Sequence, residues 1–331
     1  MLHEDCDFTL FCKNDSFIHH QVKNKNSINY VPIKFLSRKF SLSMLFSVRN
    51  EIKKRKINNV IFFGASELKK LYFSFLWLDV NLIVRHGTTK SHRKNDFIHR
   101  LIYSGVGYHV ALSRHLLANV KKIVPSVTES AYKIIYSSCN VKTSVPTSEV
   151  KPHEGIQITH VGRVASGKGQ VDAVRACKKL QDEGVAFQID LLGGDEGDSY
   201  AETLKSEINA NNFSGNVHLR GHVMNVSEYL ASTDIFLFPS AGEGMPNAFI
   251  EAMHYGAVCI AYENTVFPEF LEMGFYIHLV KNGDVDALSK KLIQVALDID
   301  NEKIKSNKNI DLVEGYFRVE EELAQWLSIL K

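Results

Sequence analysis

The segment IFLFPSAGEGMPNAFIEAMHYGAVCIA, residues 235–261, decides the fold class. It opens with four consecutive apolar residues before Pro239, which predicts a strand buried on both faces, as in a parallel sheet. A helix is predicted over Pro246–Tyr255, because proline suits a first helical position and Gly256 can end the helix. A second apolar strand, Val258–Ala261, follows at once. Strand, helix and strand in this order predict a β–α–β unit.

The same alternation continues through the rest of the second half. Continuous apolar strands separated by amphipathic helices predict a doubly wound α/β sheet covered on both faces. Such sheets bind ligands beyond the carboxyl ends of their strands. We predict strands over Gln157–Val161, Phe187–Leu192 and Val217–Leu219, and helices over Val171–Glu183, Tyr200–Ala210 and Val226–Ser232.

The first half of the chain is less regular. Buried strands are predicted over Asn59–Phe63, Val80–Val84 and Tyr108–Leu112. The segment Asn140–Gly155 has no hydrophobic periodicity and contains two prolines, which predicts an interdomain linker. The 331 residues are enough for two domains, each with its own core.

Charge is divided unequally along the chain. Residues 1–150 carry 23 Lys and Arg against 10 Asp and Glu, whereas residues 151–331 carry 16 against 27. The basic half indicates an anionic partner, such as a membrane surface or an acidic acceptor, although solvated surface lysines explain it equally well. No nucleic-acid-binding motif accompanies the basic residues, so we do not expect a nucleic-acid partner.

The cellular compartment is predicted from three features. The polar, acidic N-terminus does not resemble a signal peptide, and the most apolar stretch, Leu71–Val84, is interrupted by Asp79 and too short for a membrane span. The five cysteines are scattered and odd in number, which is typical of thiols in a reducing compartment. We expect a cytoplasmic protein, with peripheral attachment to the inner face of the cytoplasmic membrane through the basic half.

The loop of residues 162–169 follows the first predicted strand of the second half. It contains three glycines together with Arg163 and Lys168, so backbone amides and fixed positive charge could meet a phosphate group. Its spacing is close to that of a P-loop, but Gly169 stands where Ser or Thr would bind Mg²⁺, which excludes a P-loop nucleotide triphosphatase. A glycine-rich surface turn is the structural alternative.

The loop of residues 240–247 follows the most apolar strand. Its two glycines allow close approach to the backbone, and the helix beginning near Pro246 would direct free N–H groups at a ligand. Glu243 could accept hydrogen bonds from hydroxyls, or could simply be a first-turn charge favoured by the helix dipole. Glu251 lies among apolar neighbours, where a carboxylate needs partners.

Together these residues resemble the donor domain of GT-B glycosyltransferases, in particular the retaining glycosyltransferase family 4 (GT4, glycosyl transferases group 1). The resemblance is carried by Gly162-Arg163, Lys168-Gly169 and the pair Glu243 and Glu251, and covers about residues 155–300. It implies two Rossmann-like domains that face a cleft. The boundaries that we expect are an acceptor-side domain over 1–148, a donor-binding domain over 149–314, and a C-terminal helix over 315–331 that packs back on the first domain.

The resemblance also implies roles for matching positions. Arg163 and Lys168 would neutralise the donor diphosphate, Glu243 would hold the hydroxyls of the transferred sugar, and Glu251 would bind the ribose. Backbone near Gly221 and Val223 would border the base. The remaining donor-binding candidates are Gly162, Gly244, Met245, Pro246 and Asn247.

The first half contributes one catalytic candidate, His86. The segment Leu82–Gly87 resembles the strand and histidine that line the family's cleft opposite the donor, although a lone histidine here is more often a polar loop residue. The basic residues after it form a predicted acceptor-side surface, namely Lys90, Arg93, Lys94 and Arg100. Family members usually begin with a strand, a glycine-rich loop and a helix. Here the first glycine is Gly64, which predicts that the first β–α unit is missing or replaced.

The predicted reaction is retaining transfer of a sugar from a nucleotide diphosphate, UDP- or GDP-linked, to a glycan or glycolipid acceptor such as a lipopolysaccharide precursor. No cofactor is expected, and no metal ion, because protein cations would stabilise the leaving diphosphate and no Asp-x-Asp lies in a strand-end loop. Two alternatives remain. A sugar-nucleotide epimerase or hydrolase would need a base, for which His86 is the candidate, and a non-catalytic donor-binding subunit would assist another transferase.

Overall fold

The computed structural model describes residues 7–23, 25, 28–33, 42–125, 130–139, 155–195, 197 and 199–330. The chain divides into two compact units. Unit 1 comprises residues 1–112, 117–135 and 319–331, and unit 2 comprises residues 113–116 and 136–318. The predicted linker, Asn140–Gly155, lies outside the described residues except for Gly155.

Unit 1 opens with strand β1 (Thr9–Lys13), helix α1 (Phe17–Lys23) and strand β2 (Asn29–Ile33). The two strands pair in parallel as a separate two-stranded sheet. A β–α–β segment is therefore present at the start of unit 1, so of the two predicted cases, a missing or a replaced first β–α unit, the first is wrong. The turn of this segment needs no glycine, because Asp15 adopts the left-handed conformation (φ 57°) and the Ser16 hydroxyl accepts from the N–H of His19 at 3.2 Å.

A four-stranded parallel sheet forms the rest of unit 1, in the order β3-β4-β5-β6. Three of its strands lie within one or two residues of the predicted ones, and β6, which is short and half-exposed, was not predicted. The strands are β3 (Asn59–Phe62), β4 (Asn81–His86), β5 (Val106–Ala111) and β6 (Ala131–Ile134). The helices are α2 (Leu42–Arg55), α3 (Ala65–Leu71), α4 (Phe97–Ser104) and α5 (Arg114–Ile123), with a 3₁₀ turn over Tyr72–Ser74; the first three residues of α5 belong to unit 2.

Unit 2 contains a six-stranded parallel sheet in the order β12-β11-β10-β7-β8-β9. The chain starts at the middle strand and proceeds to one edge before it crosses to the other side, so the switch point lies between β7 and β10. The strands are β7 (Ile156–Val161), β8 (Phe187–Leu192), β9 (Val217–Gly221), β10 (Ile235–Phe238), β11 (Val258–Glu263) and β12 (His278–Lys281). All but β12 were predicted; only one of the four residues of β12 is buried.

Helices follow the strands of unit 2, as the β–α alternation predicts. They are α6 (Gln170–Asp182), α7 (Ser199–Ala210), α8 (Val226–Ala231), α9 (Asn247–His254), α10 (Phe267–Glu272), α11 (Val285–Leu297), α12 (Ile299–Ser306) and α13 (Lys308–Tyr316). Strand β10 shows why the sheet is doubly covered. Its alternate residues Ile235 and Leu237 join one hydrophobic cluster, and Phe236 and Phe238 join another.

The last helix, α14 (Val319–Leu330), belongs to unit 1. Its Trp326 and Ile329 pack in one buried cluster with Ile83 and Val110 of β4 and β5. The four described cysteines form no disulfide. Over the described ranges, no helix combines the length and low polarity that a membrane span requires.

Candidate functional site

The loops that follow β7 and β10 contact each other through their backbones. The N–H of Ala241 donates to the carbonyl of Gly167 at 2.9 Å. Gly169 has φ +80°, and a Cβ at this position would lie 2.0 Å from the carbonyl oxygen of Pro239. Because a side chain cannot fit there, glycine at 169 is what allows the two strand-end loops to approach this closely.

The side chains of the two loops meet in an ion pair between Lys168 and Glu243. The Nζ atom of Lys168 lies 2.7 Å from Oε1 of Glu243, and the two side chains are 30% and 12% exposed. The hydroxyl of Ser240 also lies 2.7 Å from Oε1, and 3.1 Å from the carbonyl of Gly167. A hydroxyl has one proton, so it donates to one of these two acceptors at a time. Two predicted catalytic residues are thus brought into direct contact.

Residues after β11 hold the backbone of the same site, and the sequence analysis did not single them out. The hydroxyl of Thr265 accepts from the N–H of Glu243 at 3.0 Å and donates to Oδ1 of Asn264 at 2.9 Å. The amide of Asn264 donates to the carbonyl of Ser240 at 2.8 Å. These residues follow a predicted strand, so the rule that ligand sites lie at carboxyl ends could have identified them.

Two buried side chains fix the loop of residues 162–169 from below. Nε2 of His160 lies 2.8 Å from the carbonyl oxygen of Lys168, and the amide of Gln170 donates to the carbonyls of Gly162 and Arg163 at 3.1 and 2.8 Å. Burial lowers the pKa of His160 to about 4, so the ring is neutral at neutral pH. Since a carbonyl can only accept, that neutral ring carries its proton on Nε2. The Arg163 side chain is exposed.

Helix α9 begins directly after the loop of residues 240–247. Pro246 is the N-cap (φ −86°, ψ 91°), not the first helical residue as predicted, because its carbonyl already accepts from the N–H groups of Phe249 and Ile250. The N–H groups of Gly244, Met245 and Asn247 donate to no described residue. The amides of these three residues and the positive end of the helix dipole therefore lie next to Glu243.

Glu251 lies on α9 among residues that are fully buried. Its side chain is half-buried, and desolvation by burial raises its pKa. No hydrogen bond or ion pair joins its carboxylate to another described residue. A carboxylate in such surroundings needs hydrogen-bonding partners, and the described part of the protein does not supply them for Glu251.

Gly221 ends β9, and its carbonyl accepts from the N–H of Gly193 at 2.8 Å. It lines a cavity of about 230 Å³ together with Gly193, Asp195 and Lys205, and neither Lys168 nor Glu243 lines this cavity. Val223 is half-buried in the loop that follows. Gly162 contributes its backbone at the base of the first loop, as described above.

His86 belongs to unit 1, where it ends β4, whereas Arg163, Lys168 and Glu243 belong to unit 2. Its Nε2 atom lies 3.0 Å from Nδ1 of His109. Burial, then the neighbouring His109, Lys94 and Lys90, lower the pKa of His86 to about 3. Within the described ranges of both units, no three His, Cys, Asp or Glu side chains are grouped as metal ligands.

Known proteins are similar in sequence to this chain over different fractions of its length. The sequence profile described as "Glycosyl transferases group 1" matches residues 141–310. The amylovoran biosynthesis glycosyltransferase AmsK of Erwinia amylovora is 32% identical over 152 residues, which are 44% of this chain and 37% of AmsK. An uncharacterized glycosyltransferase of Haemophilus influenzae is 24% identical over 98% of this chain and 91% of its own length. The alignment with AmsK therefore spans little more than a third of that relative.

Solved structures resemble this chain over nearly its whole length. A glycosyltransferase of Rickettsia africae ESF-5 superposes with a TM-score of 0.84 at 17% identity, over 99% of this chain and 91% of that one. Anabaena HepE, solved in complex with UDP, gives 0.83 at 14% identity, over 97% and 91%. These likenesses confirm the predicted α/β fold of the GT-B class. Because the family profile matches more than half of its residues, the chain belongs to the glycosyl transferases group 1 family.

Proposed function

We propose that this protein transfers a sugar from a nucleotide diphosphate, UDP- or GDP-linked, to a glycan or glycolipid acceptor. The observation that carries the proposal is the 2.7 Å contact between Lys168 and Glu243, at the meeting point of two strand-end loops in a member of this family. It pairs a cation suited to a diphosphate with a carboxylate suited to sugar hydroxyls. In this proposal the transfer retains the anomeric configuration, as in GT4.

The chemistry requires stabilisation of charge on the departing diphosphate. In the proposed mechanism Arg163 and Lys168 supply that stabilisation, together with the amides of Gly244, Met245 and Asn247, which donate to no other residue that the structure describes. These fixed cations and dipoles take the place of a metal ion, so we propose a reaction without metal or cofactor. Binding of the diphosphate by Lys168 would release the Glu243 carboxylate to accept hydrogen bonds from the sugar.

The nucleotide would occupy the remaining predicted positions. Glu251 has a desolvated carboxylate with no hydrogen-bonding partner among the described residues, which supports its assignment to the ribose hydroxyls. The backbone near Gly221 and Val223 would border the base. HepE was solved with UDP and with UDP-glucose, which supports a nucleotide-sugar donor for the fold.

The names of relatives support an acceptor in polysaccharide biosynthesis. AmsK is named for amylovoran, the WcaL proteins of Salmonella typhimurium and Escherichia coli for colanic acid, and CapH of Staphylococcus aureus for capsular polysaccharide. We therefore propose a surface glycan or a lipopolysaccharide precursor as the acceptor class.

The donor assignment is tested with purified protein and a panel of UDP- and GDP-linked sugars in a thermal-shift assay. We expect donors with one of the two bases to raise Tm by about 5 °C at a hundredfold excess over Kd. The double variant Arg163→Ala/Lys168→Ala should lose that shift, because the diphosphate loses both cations. Lys178→Ala/Lys179→Ala, which removes two exposed lysines from α6, is the matched control and should keep it. Absence of stabilisation by every donor would contradict the proposal.

Assays with the sugar nucleotide that stabilises the protein distinguish a transferase from an epimerase or hydrolase and from a donor-binding subunit. Rapid consumption of the sugar nucleotide without acceptor, followed by chromatography of the products, would indicate an epimerase or hydrolase. Donor binding without transfer to any glycolipid extract, despite weaker binding by Glu243→Ala, would indicate a donor-binding subunit.

Unit 1 carries a surface suited to a peripheral membrane contact. On α4, Phe97, Ile98 and Leu101 are 79%, 55% and 39% exposed, and the basic residues of the predicted acceptor-side surface flank or lie on this helix. Exposed apolar side chains with basic neighbours favour the interface of an anionic bilayer. We propose that this helix attaches the protein to the inner face of the cytoplasmic membrane, where a lipid-linked acceptor would lie.

Sedimentation with phosphatidylglycerol vesicles tests the membrane contact. Phe97→Ser/Ile98→Ser should weaken binding by about a hundredfold, since each buried apolar side chain contributes about 1.5 kcal/mol or more. Leu297→Ser/Ile304→Ser removes two similarly exposed apolar side chains from unit 2 and should leave binding unchanged. Equal binding by the two double variants, or equal binding to phosphatidylcholine vesicles, would reject this surface.

A further inference from the structure

Strand register in unit 1 places two histidines and a tyrosine side by side. His109 of β5 pairs with Val84 of β4 and with Tyr132 of β6, and His86 lies two residues after Val84, on the same face of the sheet. The His109 ring is 1% exposed and stacks on the Tyr132 ring at a centroid distance of 5.1 Å. Its Nδ1 atom contacts Nε2 of His86 at 3.0 Å. His86 therefore meets a buried, immobilised ring.

The contact between two imidazoles must place one proton between two nitrogens. Either His86 donates from Nε2, or His109 donates from Nδ1. Nε2 of His109 is buried and has no hydrogen-bond partner among the described residues. If His109 accepted at Nδ1, its own proton would sit on Nε2, and an N–H group would be buried without an acceptor. An orphaned donor is rarer in proteins than an unused acceptor, which favours donation from His109.

Both rings are neutral at neutral pH. Burial lowers the pKa of His109 to about 4, and burial with the neighbouring His109, Lys94 and Lys90 lowers that of His86 to about 3. Lys94 also lies close to this histidine pair. Its Nζ is 3.2 Å from the hydroxyl of Tyr103, and the ring of Tyr103 packs on His109. Each neutral ring holds a single proton, so fixing one nitrogen of a ring also fixes the other.

We propose that His109 is a positioning residue that donates from Nδ1 to Nε2 of His86 and thereby holds His86 in the Nδ1–H tautomer. His86 then offers an N–H donor at the end of β4, suited to an oxygen acceptor such as a sugar hydroxyl or a phosphate oxygen. It offers no free lone pair, so it cannot serve as a general base. The use of this donor in sugar transfer rests on the proposed function, whereas the tautomer itself does not.

The test is a two-bond ¹H–¹⁵N correlation spectrum of the full-length protein labelled with ¹⁵N-histidine, in which each ring pattern reports its tautomer. The His86→Gln and His109→Leu variants assign the two signals. We expect Nδ1–H for both rings. His160 is an internal reference, because donation to the carbonyl of Lys168 requires Nε2–H. An Nε2–H pattern for His86 in the wild-type protein would overturn the proposal, whether or not any sugar nucleotide binds.

The His109→Leu variant tests whether His109 is the cause. Without the donor, His86 should shift toward the Nε2–H form that a free neutral histidine prefers, so the ratio of Nδ1–H to Nε2–H should fall by about tenfold. An unchanged His160 pattern shows that unit 2 has remained folded, and unchanged signals from other unit 1 histidines show the same for unit 1. If His86 keeps the Nδ1–H pattern in the folded variant, His109 does not set it. If this variant fails to fold, the wild-type spectrum still decides the tautomer.

Discussion

Replacing Lys168 with alanine is expected to lower kcat/KM for sugar transfer by about 100- to 1,000-fold, the usual effect of removing one group that stabilises transition-state charge. Lys168 is held for this role by three contacts. Its Nζ pairs with Glu243 at 2.7 Å, its carbonyl accepts from His160 at 2.8 Å, and its N–H donates to Ala165 at 3.1 Å. The measurement is the rate of nucleotide-diphosphate release with the donor identified by thermal shift and a glycolipid acceptor.

The control for this prediction is Lys179→Ala. Lys179 lies on α6 and pairs with Glu183 at 2.7 Å on the protein surface, so its loss should leave kcat/KM near the wild-type value. Glu243→Gln separates charge from hydrogen bonding, because the amide can still accept from Lys168 but carries no charge. Circular dichroism excludes misfolding of each variant. Wild-type kcat/KM in a folded Lys168→Ala protein would rule out its proposed action on the leaving diphosphate.

Gly169→Ala is expected to lower the free energy of unfolding by about 2–5 kcal/mol. The left-handed conformation contributes about 1–2 kcal/mol of strain for a residue with a Cβ. The new methyl group would also lie 2.0 Å from the carbonyl oxygen of Pro239, and the resulting overpacking adds about 1–3 kcal/mol. Urea denaturation followed by circular dichroism measures the change.

Gly167→Ala is the matched control, since it shares the loop and the backbone conformation. Gly167 has φ +88°, but a Cβ there would meet nothing within 4 Å, so only the strain of about 1–2 kcal/mol applies. The difference between the two variants isolates the close approach of the loops after β7 and β10. Equal losses of stability in the two variants would show that the two loops can move apart to accommodate a methyl group at position 169.

Much of the fold could be predicted because its signals are local. Five of the six strands of unit 2 were predicted. Strands β10 and β11 contain continuous apolar runs, as a strand covered on both faces requires, whereas β7, β8 and β9 carry polar residues between apolar ones. Three other features were missed. Strand β6 is half-exposed, β12 has one buried residue in four, and the turn of the first β–α unit uses Asp15 and Ser16 where the sequence analysis looked for glycine.

The candidate site could be predicted only in part. Arg163 and Lys168 were proposed because glycines and cations in a loop after a strand are typical of anion-binding sites. Glu243 was proposed as an acceptor for hydroxyls beside a helix start and Glu251 as a carboxylate among apolar neighbours, and their roles followed from the family resemblance. Thr265, which accepts from the N–H of Glu243, is marked only by its place after a predicted strand, and His160, which contacts the carbonyl of Lys168, carries no local signal for that role. A buried polar residue in a strand, such as His160, is informative only when its partner is known.

The sequence by itself determined that unit 2 is a doubly wound sheet and that its charged loops follow the strands, since both properties depend on neighbouring residues. Only the tertiary structure decided which charges meet. Lys168 and Glu243 are separated by 75 positions in the chain, and they pair because β10 adds to the sheet directly beside β7. The contact of His86 with His109 depends in the same way on the register of β4 against β5. Strand order and register arise from packing of the whole domain, so a contact that depends on them cannot be deduced from one stretch of sequence.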